Sequence, residues 1–235
     1  MKRSYGISKI VLWCTAVICV GIMCLSLSSC GMSEEDSGYN KSLYAGEIQE
    51  ADVFIDIPNL RQYGSYTCGT TYVQMLMNWI APYDGDLNLT AYEEELGTSE
   101  EDGTPPENII GYFEESEVKT AAEDKLSVDD LVSALDRGHP VMMCIQAWSS
   151  AEDDNTDTYL TEGRWVICVG YQNQKDGYIF YFNDPACVGY CIMSEDDLDD
   201  RWIDMDAKGN IYDHYGIEIC EDVKGYDPDG VFYLE

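Results

Sequence analysis

Residues 65–76 read SYTCGTTYVQML and place Cys68 directly before Gly69, at the start of an apolar run that predicts a buried helix over residues 68–80. A helix start favours a nucleophilic cysteine, because the unpaired N–H groups and the helix dipole stabilise its thiolate. An upstream amide side chain, that of Gln62, could donate a hydrogen bond to an oxyanion. The stretch therefore fits a nucleophile's position, although a cysteine among apolar residues is more often a buried core thiol.

The segments that follow this helix predict an α+β domain. Helix-start patterns occur at Thr104 and Ser127, and Gly138 ends the second of these helices. Strand-like runs come later, interrupted by a short helix from about Glu195 to Arg201, and this order of helices before antiparallel strands is typical of the α+β class. The runs are PVMMCIQAW (140–148), RWVICVGYQ (164–172), GYIFYFND (177–184), GYCIMS (189–194) and YGIEIC (215–220).

Residues 1–29 have the order of a secretory signal peptide: a short basic leader, an apolar core and a small-residue ending. The cysteine that follows, Cys30 in LSSC, resembles the lipobox cysteine of bacterial lipoproteins, which carries the lipid after cleavage. This resemblance implies a protein anchored to the cell membrane by lipid on Cys30, facing outward, with a flexible tether over 30–51 and a domain over 52–235. An uncleaved transmembrane anchor is the alternative, because the apolar stretch is nearly long enough to cross a bilayer.

The net charge of the chain limits the classes of partner that it is expected to bind. The chain has 45 acidic against 13 basic residues, for a formal net charge of −32. Three of the basic residues belong to the signal segment, so 10 basic and 45 acidic residues remain after it, a charge near −35. Such a charge argues against nucleic acid or an anionic lipid surface as partner and favours cationic partners or divalent ions. An acidic adhesion or ion-binding lipoprotein is therefore a non-enzymatic alternative.

Several motifs beyond residue 52 occur in the order found in bacterial papain-like peptidases. They are QYGSYTCGTTYVQMLMNW (62–79), ELGTSEEDGTPPENIIGYF (95–113), LVSALDRGHPVMMCI (131–145), EGRWVICVGY (162–171) and YIFYFNDP (178–185). The chain thus resembles the bacteriocin-leader-processing cysteine peptidases, the C39-like group. The resemblance implies a papain-like fold, with N-terminal helices packed on an antiparallel sheet. It also implies Cys68 as the nucleophile, Gln62 as the oxyanion amide and Asp184 as the carboxylate that orients a histidine.

One position departs from this pattern. The family has a histidine after the glycine of EGRW, and this chain has Arg164 there. A guanidinium stays charged at any biological pH, so it can neither take the thiol proton nor return one to a leaving amine. Arg164 could instead pair with Asp184 or stabilise a Cys68 thiolate by its charge. We therefore expect a catalytically impaired, peptidase-like protein that binds a peptide or protein in the old substrate cleft.

The alternative is an active cysteine peptidase in which Cys68 works with a relocated base. The sequence contains only two histidines, His139 in a turn before a strand and His214 before the last strand. Neither can be placed near Cys68 from sequence, and convergent triads are recognised by geometry rather than by position.

Metal and cofactor sites are not expected from the sequence. DMDAKGNIYDHY (204–215) has the start of a calcium-loop spacing, but Lys208 and Tyr215 stand where two ligands would be, so an ordinary turn is the better prediction. Among the cysteines, Cys144 and Cys168 lie in apolar strands and fit buried hydrophobic positions. The segment CVGYC leaves open a local bridge between Cys187 and Cys191.

Overall fold

A computed structural model describes residues 51–81, 89–146, 160, 163–186 and 189–223, which all belong to one compact unit. The expected signal peptide, the lipidated Cys30 and the tether up to residue 50 lie outside the described residues, as does Cys187. No helix within the described ranges combines the length and apolar character needed to cross a bilayer.

The described ranges contain five helices and nine strands in a mixed order. The helices are α1 (Cys68–Ile80), α2 (Leu89–Glu95), α3 (Pro106–Glu115), α4 (Val128–Asp136) and α5 (Glu195–Arg201). The strands are β1 (Val53–Phe54), β2 (Thr120–Glu123), β3 (Val141–Gln146), β4 (Gly163–Gln174), β5 (Gly177–Asn183), β6 (Tyr190–Ser194), β7 (Ile203–Met205), β8 (Ile211–Asp213) and β9 (Gly216–Ile219). The predicted helix over residues 68–80 and the predicted strands are confirmed within the described ranges, and Ala147 and Trp148 at the end of the first predicted strand lie outside them.

The main sheet has seven strands within the described ranges and is antiparallel throughout. Its order is β2-β9-β3-β4-β5-β6, and β1 pairs with the second half of β4. The register of β4 shifts between Cys168 and Gly170, where β1 approaches so closely that a Cβ on Gly170 would lie 2.2 Å from the carbonyl oxygen of Val53. Strands β7 and β8 form a separate hairpin. Helices packed on an antiparallel sheet give the α+β, papain-like architecture predicted from the sequence, although β1 and β2 precede α4 and α5 follows β6.

Helix α1 is held on the sheet by its apolar face. Tyr72, Val73, Met75 and Leu76 are fully buried. The Tyr72 hydroxyl also donates a hydrogen bond to the carbonyl of Asn183 at the end of β5. Burying these side chains against the sheet stabilises the fold by roughly 1.5–3 kcal/mol for each large apolar group. The helix start that carries Cys68 is therefore fixed relative to β4 and β5.

The two predicted helix-start patterns have different outcomes. Ser127 caps α4 through a full capping box: its Oγ accepts from the Asp130 N–H at 3.2 Å, and the Asp130 carboxylate accepts from the Ser127 N–H at 2.9 Å. The predicted cap at Thr104 is wrong. Pro105 holds the N-cap position of α3, which has no side-chain cap, so Thr104 lies one residue too far upstream.

Five elements were not predicted: the two short strands of the β7–β8 hairpin, and three elements that have weak local patterns. Strand β2 reads TAAE and is largely exposed, so it lacks the apolar alternation that indicates a strand. Helix α2 has no acidic residue in its first turn and only seven residues. Strand β1 has two residues and exists through its pairing with β4. All three depend on tertiary contacts more than on local pattern.

Candidate active site

A cleft of about 340 Å³ opens beside the start of α1. Its walls come from α1, from the segment between α2 and α3, from the beginning of β4 and from the β7–β8 hairpin. Cys68 and Arg164, two of the residues singled out from the sequence, both line this cleft. The fold therefore brings the expected nucleophile and the residue in the histidine position to one site.

Close packing of two neighbouring side chains explains the glycine after Cys68. A Cβ on Gly69 would lie 2.6 Å from Thr104 and 3.0 Å from the Trp165 ring, distances that real Cβ atoms rarely or never show. The Trp165 indole N–H donates to the Thr104 carbonyl at 3.0 Å and so joins β4 to the segment before α3. Gly69 thus lets α1, β4 and this segment meet directly beside Cys68.

The Cys68 thiol is almost fully covered, with 8% of the residue exposed. Burial raises the pKa of the Cys68 thiol, and the nearby Asp204 charge acts in the same direction. A hydrogen bond with the Trp165 backbone and the positive charge of Arg164 lower this pKa, but by less than burial raises it. The helix start and Arg164 therefore do not make Cys68 a thiolate at neutral pH.

Arg164 lies on β4 opposite Ile145 of β3, and Asp184 directly follows β5. The Arg164 Nη1 atom is 3.5 Å from Asp184 Oδ1; the Asp184 side chain is buried, with 3% exposed, and that of Arg164 is partly buried, with 13% exposed. Asp184 also accepts a hydrogen bond from the Ala186 N–H at 2.8 Å, while Cys191 Sγ lies 3.9 Å from its Oδ2. The carboxylate expected to orient a histidine is thus paired with an arginine.

A backbone hydrogen bond connects Gln62 to the segment that contains Asp184. Its N–H donates to the Pro185 carbonyl at 2.9 Å, beside Asp184. Its side-chain Nε2 donates to the Gly64 carbonyl at 2.7 Å, and Gln62 is not among the residues that line the cleft. One amide N–H is thereby engaged within its own loop, so only the second could donate to an oxyanion. The oxyanion role of Gln62 stays a prediction.

Asp204 on β7 is a cleft residue that the sequence analysis considered only for a calcium loop. Its Oδ1 accepts hydrogen bonds from Gln146 Nε2 at 3.0 Å and from the Met205 N–H at 2.8 Å. Burial raises its pKa to about 6. The carboxylate fills the space next to Gly163, where a Cβ would lie 2.0 Å from Asp204 Oδ1. Asp204 is therefore a half-buried carboxyl group beside the residue that precedes Arg164.

The cleft lining is strongly acidic. Among the described residues that line it, only Arg164 and Lys208 carry a permanent positive charge. Six are carboxylic acids: Glu100, Glu101, Asp102, Glu107, Asp204 and Asp206. Low-dielectric walls with charges of one sign concentrate the local field, so this cleft attracts cations.

Both histidines lie outside the cleft lining. His139 precedes β3, and its Nδ1 is 2.6 Å from Glu218 Oε1. His214 follows β8, with Nδ1 2.8 Å from Asp213 and Nε2 3.2 Å from Asp199. Their rings are engaged with carboxylates elsewhere, so the structure brings neither of them to Cys68.

The segment with partial calcium-loop spacing is an ordinary hairpin turn, as predicted. Asp206 accepts from the backbone N–H groups of Lys208 at 2.9 Å and Asn210 at 2.8 Å, which closes the turn between β7 and β8. The buried positions predicted for Cys144 and Cys168 are confirmed, with at most 2% exposed. The bridge considered for Cys191 involves Cys187, which is outside the described residues.

Comparisons with known proteins place this geometry in a family. The model of the Peptidase_C39 like family matches residues 54–209. No curated protein matches the chain. A C39-like peptidase from Bacillus anthracis shares the fold, with 12% identity, a TM-score of 0.51 and coverage of 73% of this chain and 98% of that one. A double glycine motif protease from an AMS/PCAT transporter, solved with its leader peptide, gives 14% identity, a TM-score of 0.48 and coverage of 71% and 92%. Because the family model spans well over half of its length, this chain belongs to the Peptidase_C39 like family.

Proposed function

We propose that this chain is a membrane-anchored lipoprotein whose peptidase-like cleft binds a peptide without turning it over efficiently. The carrying observation is that Arg164, at the position where the family resemblance implies a histidine, pairs with Asp184 at 3.5 Å. A cysteine peptidase needs a group that accepts the thiol proton and later protonates the leaving amine. A guanidinium performs neither step, since its pKa lies far above biological pH.

The state of the thiol supports the same conclusion. Burial raises the pKa of Cys68 in spite of the Arg164 charge, so the thiol stays protonated at neutral pH. Without a neighbouring base, attack on an amide carbonyl then begins from the weakly nucleophilic thiol. The arrangement keeps the cleft and the buried thiol but lacks an efficient acid–base cycle.

The lining of the cleft favours a cationic peptide segment as the ligand. Six carboxylic acids face it against two basic side chains, and its volume of about 340 Å³ accommodates a few residues of an extended chain. Lys and Arg side chains could pair with these carboxylates through charge-assisted hydrogen bonds. The −32 formal charge of the whole chain acts in the same direction over longer range.

Binding and hydrolysis can be tested separately with two peptides of equal length, one rich in Lys and Arg and one in which Gln replaces these residues. Fluorescence anisotropy should show tighter binding of the cationic peptide, with affinity that falls as salt rises. The double variant Glu100→Gln/Glu101→Gln should weaken this binding, whereas Asp130→Asn, on an exposed helix start outside the cleft, should not. Rapid cleavage by the wild type that is lost in Cys68→Ala would contradict the proposal.

Membrane attachment is supported by the basic leader, the apolar core and the LSSC ending before residue 31. In bacterial cells, the wild-type chain should fractionate with membranes and incorporate a labelled fatty acid. Cys30→Ala should remove the label, and Cys24→Ala, a change within the apolar core, should retain it. Label that persists in Cys30→Ala would rule out this lipid site.

A second candidate is an active peptidase that uses a base other than histidine. The observation that favours it is Asp204, which lines the cleft with Cys68 and has its pKa raised to about 6 by burial. A carboxylate of this kind could accept a proton near neutral pH. Transfer from Cys68 is nevertheless uphill, because the pKa of the thiol lies well above that of Asp204. This candidate predicts slow hydrolysis that disappears in both Cys68→Ala and Asp204→Asn.

A further inference from the structure

A second cluster of reactive side chains lies outside the cleft lining. His139, Glu218 and Cys220 each offer one ligand atom, and these three atoms lie within 4.8 Å of one another. The three residues are partly buried, with 15% of the His139 side chain and 19% of the Glu218 side chain exposed. Neither the expected nucleophile nor the acidic lining of the cleft takes part, so the cluster is independent of the function proposed above.

The fold holds these three residues in place through backbone hydrogen bonds. The His139 N–H donates to the Ala134 carbonyl at 3.0 Å, which fixes the end of α4. Glu218 on β9 lies opposite Val141 on β3, and the neighbouring Ile219 N–H donates to the Pro140 carbonyl at 3.0 Å.

Cys220 is fixed from the other side of β9. Its N–H donates to the Lys119 carbonyl at 2.8 Å, next to the pairing of β2 with β9. Glu218 and Cys220 are two residues apart at the end of a strand, a spacing that directs both side chains to one face. Two segments, the turn before β3 and the end of β9, therefore bring three ligand atoms together at the sheet.

The ligand types match one class of metal ion. Imidazole nitrogen, thiolate sulfur and carboxylate oxygen are the three donors that Zn²⁺ takes from proteins, at about 2.0–2.3 Å. Ca²⁺ and Mg²⁺ prefer sets made of oxygen alone, so the thiol and the imidazole argue against them. Ligand atoms that already lie within 4.8 Å of one another need only side-chain adjustments to surround one ion.

Glu218 is engaged in a way that leaves room for an ion. Arg137 Nη2 at 2.7 Å and His139 Nδ1 at 2.6 Å both contact the same oxygen, Oε1 of Glu218. Oε2 takes no part in these two contacts. The Arg137 side chain is 51% exposed and can move into solvent, so its ion pair competes with a metal without blocking it.

We propose that His139, Glu218 and Cys220 form a Zn²⁺ site that joins the turn between α4 and β3 to the end of β9. Three protein ligands leave a fourth position for water or another donor. The bound ion connects β9, the last described strand, to the turn that leads into β3 at the centre of the sheet. It thereby stabilises the folded domain, because the unfolded chain does not hold these ligands together.

The test uses the full-length chain, purified in mild detergent, stripped with chelator and titrated with Co²⁺ or Zn²⁺. Co²⁺ should produce a thiolate charge-transfer band in the near ultraviolet, and Zn²⁺ should abolish it by displacement. Cys220→Ser should lose the band, while His139→Ala and Glu218→Gln should weaken Zn²⁺ binding by about tenfold or more. Arg137→Gln should strengthen binding, because it removes the competing cation. A band that persists in Cys220→Ser would overturn the proposal.

A second measurement needs no variant and does not depend on how the variants fold. Peptide mapping after alkylation should show that Zn²⁺ slows modification of Cys220 several-fold and leaves the rate at Cys68 unchanged. Zn²⁺ should also raise the thermal unfolding midpoint of the wild type, because the ion binds the folded chain more tightly than the unfolded one. Equal alkylation rates at Cys220 with and without Zn²⁺ would refute the site, whatever peptide the cleft binds.

Discussion

Arg164 Nη1 lies 3.5 Å from Asp184 Oδ1, so a partly buried ion pair joins β4 to the end of β5 at the place where the family resemblance implies a histidine and its carboxylate. The remaining groups of such a site are close by. Cys68 lines the same cleft as Arg164, and the Gln62 N–H is bound to Pro185, the neighbour of Asp184. The residues that the family resemblance assigns to the site thus lie in one region, with an arginine where the resemblance implies a histidine.

Arg164→His should restore peptide hydrolysis. A general base in this position contributes on the order of 10²–10⁴-fold in rate, so a gain of about 10²-fold over the wild type is expected. Release of a fluorogenic group from a cationic peptide measures it. Arg164→Gln removes the charge without supplying a base and serves as the matched control, which should stay inactive. Equal rates for Arg164→His and Arg164→Gln would show that another feature blocks catalysis.

Alkylation of Cys68 should report a raised thiol pKa. The rate of modification by iodoacetamide, followed by mass spectrometry of the Cys68 peptide, should reach half its maximum above the ordinary thiol pKa, since burial disfavours the thiolate. Arg164→Gln should move this midpoint to higher pH because it removes a charge that lowers the pKa. The pH midpoint separates this effect from slow access, which lowers the rate at every pH. A midpoint below the ordinary thiol value would contradict the prediction.

Asp204 should make the domain less stable as pH rises. Its folded-state pKa of about 6 lies above its ordinary value, so the folded chain binds this proton more tightly than the unfolded chain does. The resulting loss of stability develops between about pH 4 and pH 6 and amounts to at most about 3 kcal/mol. Asp204→Asn should therefore raise the free energy of unfolding by about 1–2 kcal/mol at pH 7 and change it little near pH 4. Urea unfolding at several pH values measures this.

The neighbouring Asp206 provides a control of opposite sign. Hydrogen bonds from Asn210 lower its pKa, so its contribution to stability is present above its unfolded pKa and is lost as pH falls. Asp206→Asn should thus destabilise the chain at pH 7, unlike Asp204→Asn. If both variants shift stability in the same direction at pH 7, burial of Asp204 is not the cause.

Gly69→Ala should destabilise the fold around the cleft. The added methyl group would lie 2.6 Å from Thr104, and relieving this overlap should cost about 1–3 kcal/mol. Gly111→Ala, inside α3, is the matched control, because nothing lies within 4 Å of the added carbon and alanine favours helix by about 0.5–1 kcal/mol. Urea unfolding should shift the two variants in opposite directions. A Gly69→Ala variant as stable as the wild type would show that the Thr104 segment yields freely.

Local patterns and motif order were enough to predict the fold class and to predict that Cys68 and Arg164 lie at the same site. Helix α1, the capping box of α4 and the strands β3 to β6 have strong periodic or capping signals. Strand β2 was missed because its residues are largely exposed and its existence depends on pairing with β9, about a hundred residues later.

Asp204 could not be assigned to the cleft from sequence for the same physical reason. It reaches the cleft because Gln146, 58 residues earlier, donates a hydrogen bond to its carboxylate and because the β7–β8 hairpin folds back beside β4. Its sequence neighbours, acidic and close to a glycine, indicated only a turn. The position of Asp204 depends on contacts between residues that are far apart in sequence, and local sequence patterns do not reveal such contacts.

The contact between Gly163 and Asp204 links the evolutionary histories of two distant positions. While the Asp204 carboxylate occupies its present place, any side chain at residue 163 would collide with it. Relatives with a larger residue before the histidine position should therefore carry a small or absent side chain where Asp204 stands. Residue 163 can therefore gain a side chain only when the Asp204 carboxylate moves or is replaced by a smaller group, whereas residue 204 can change while Gly163 stays.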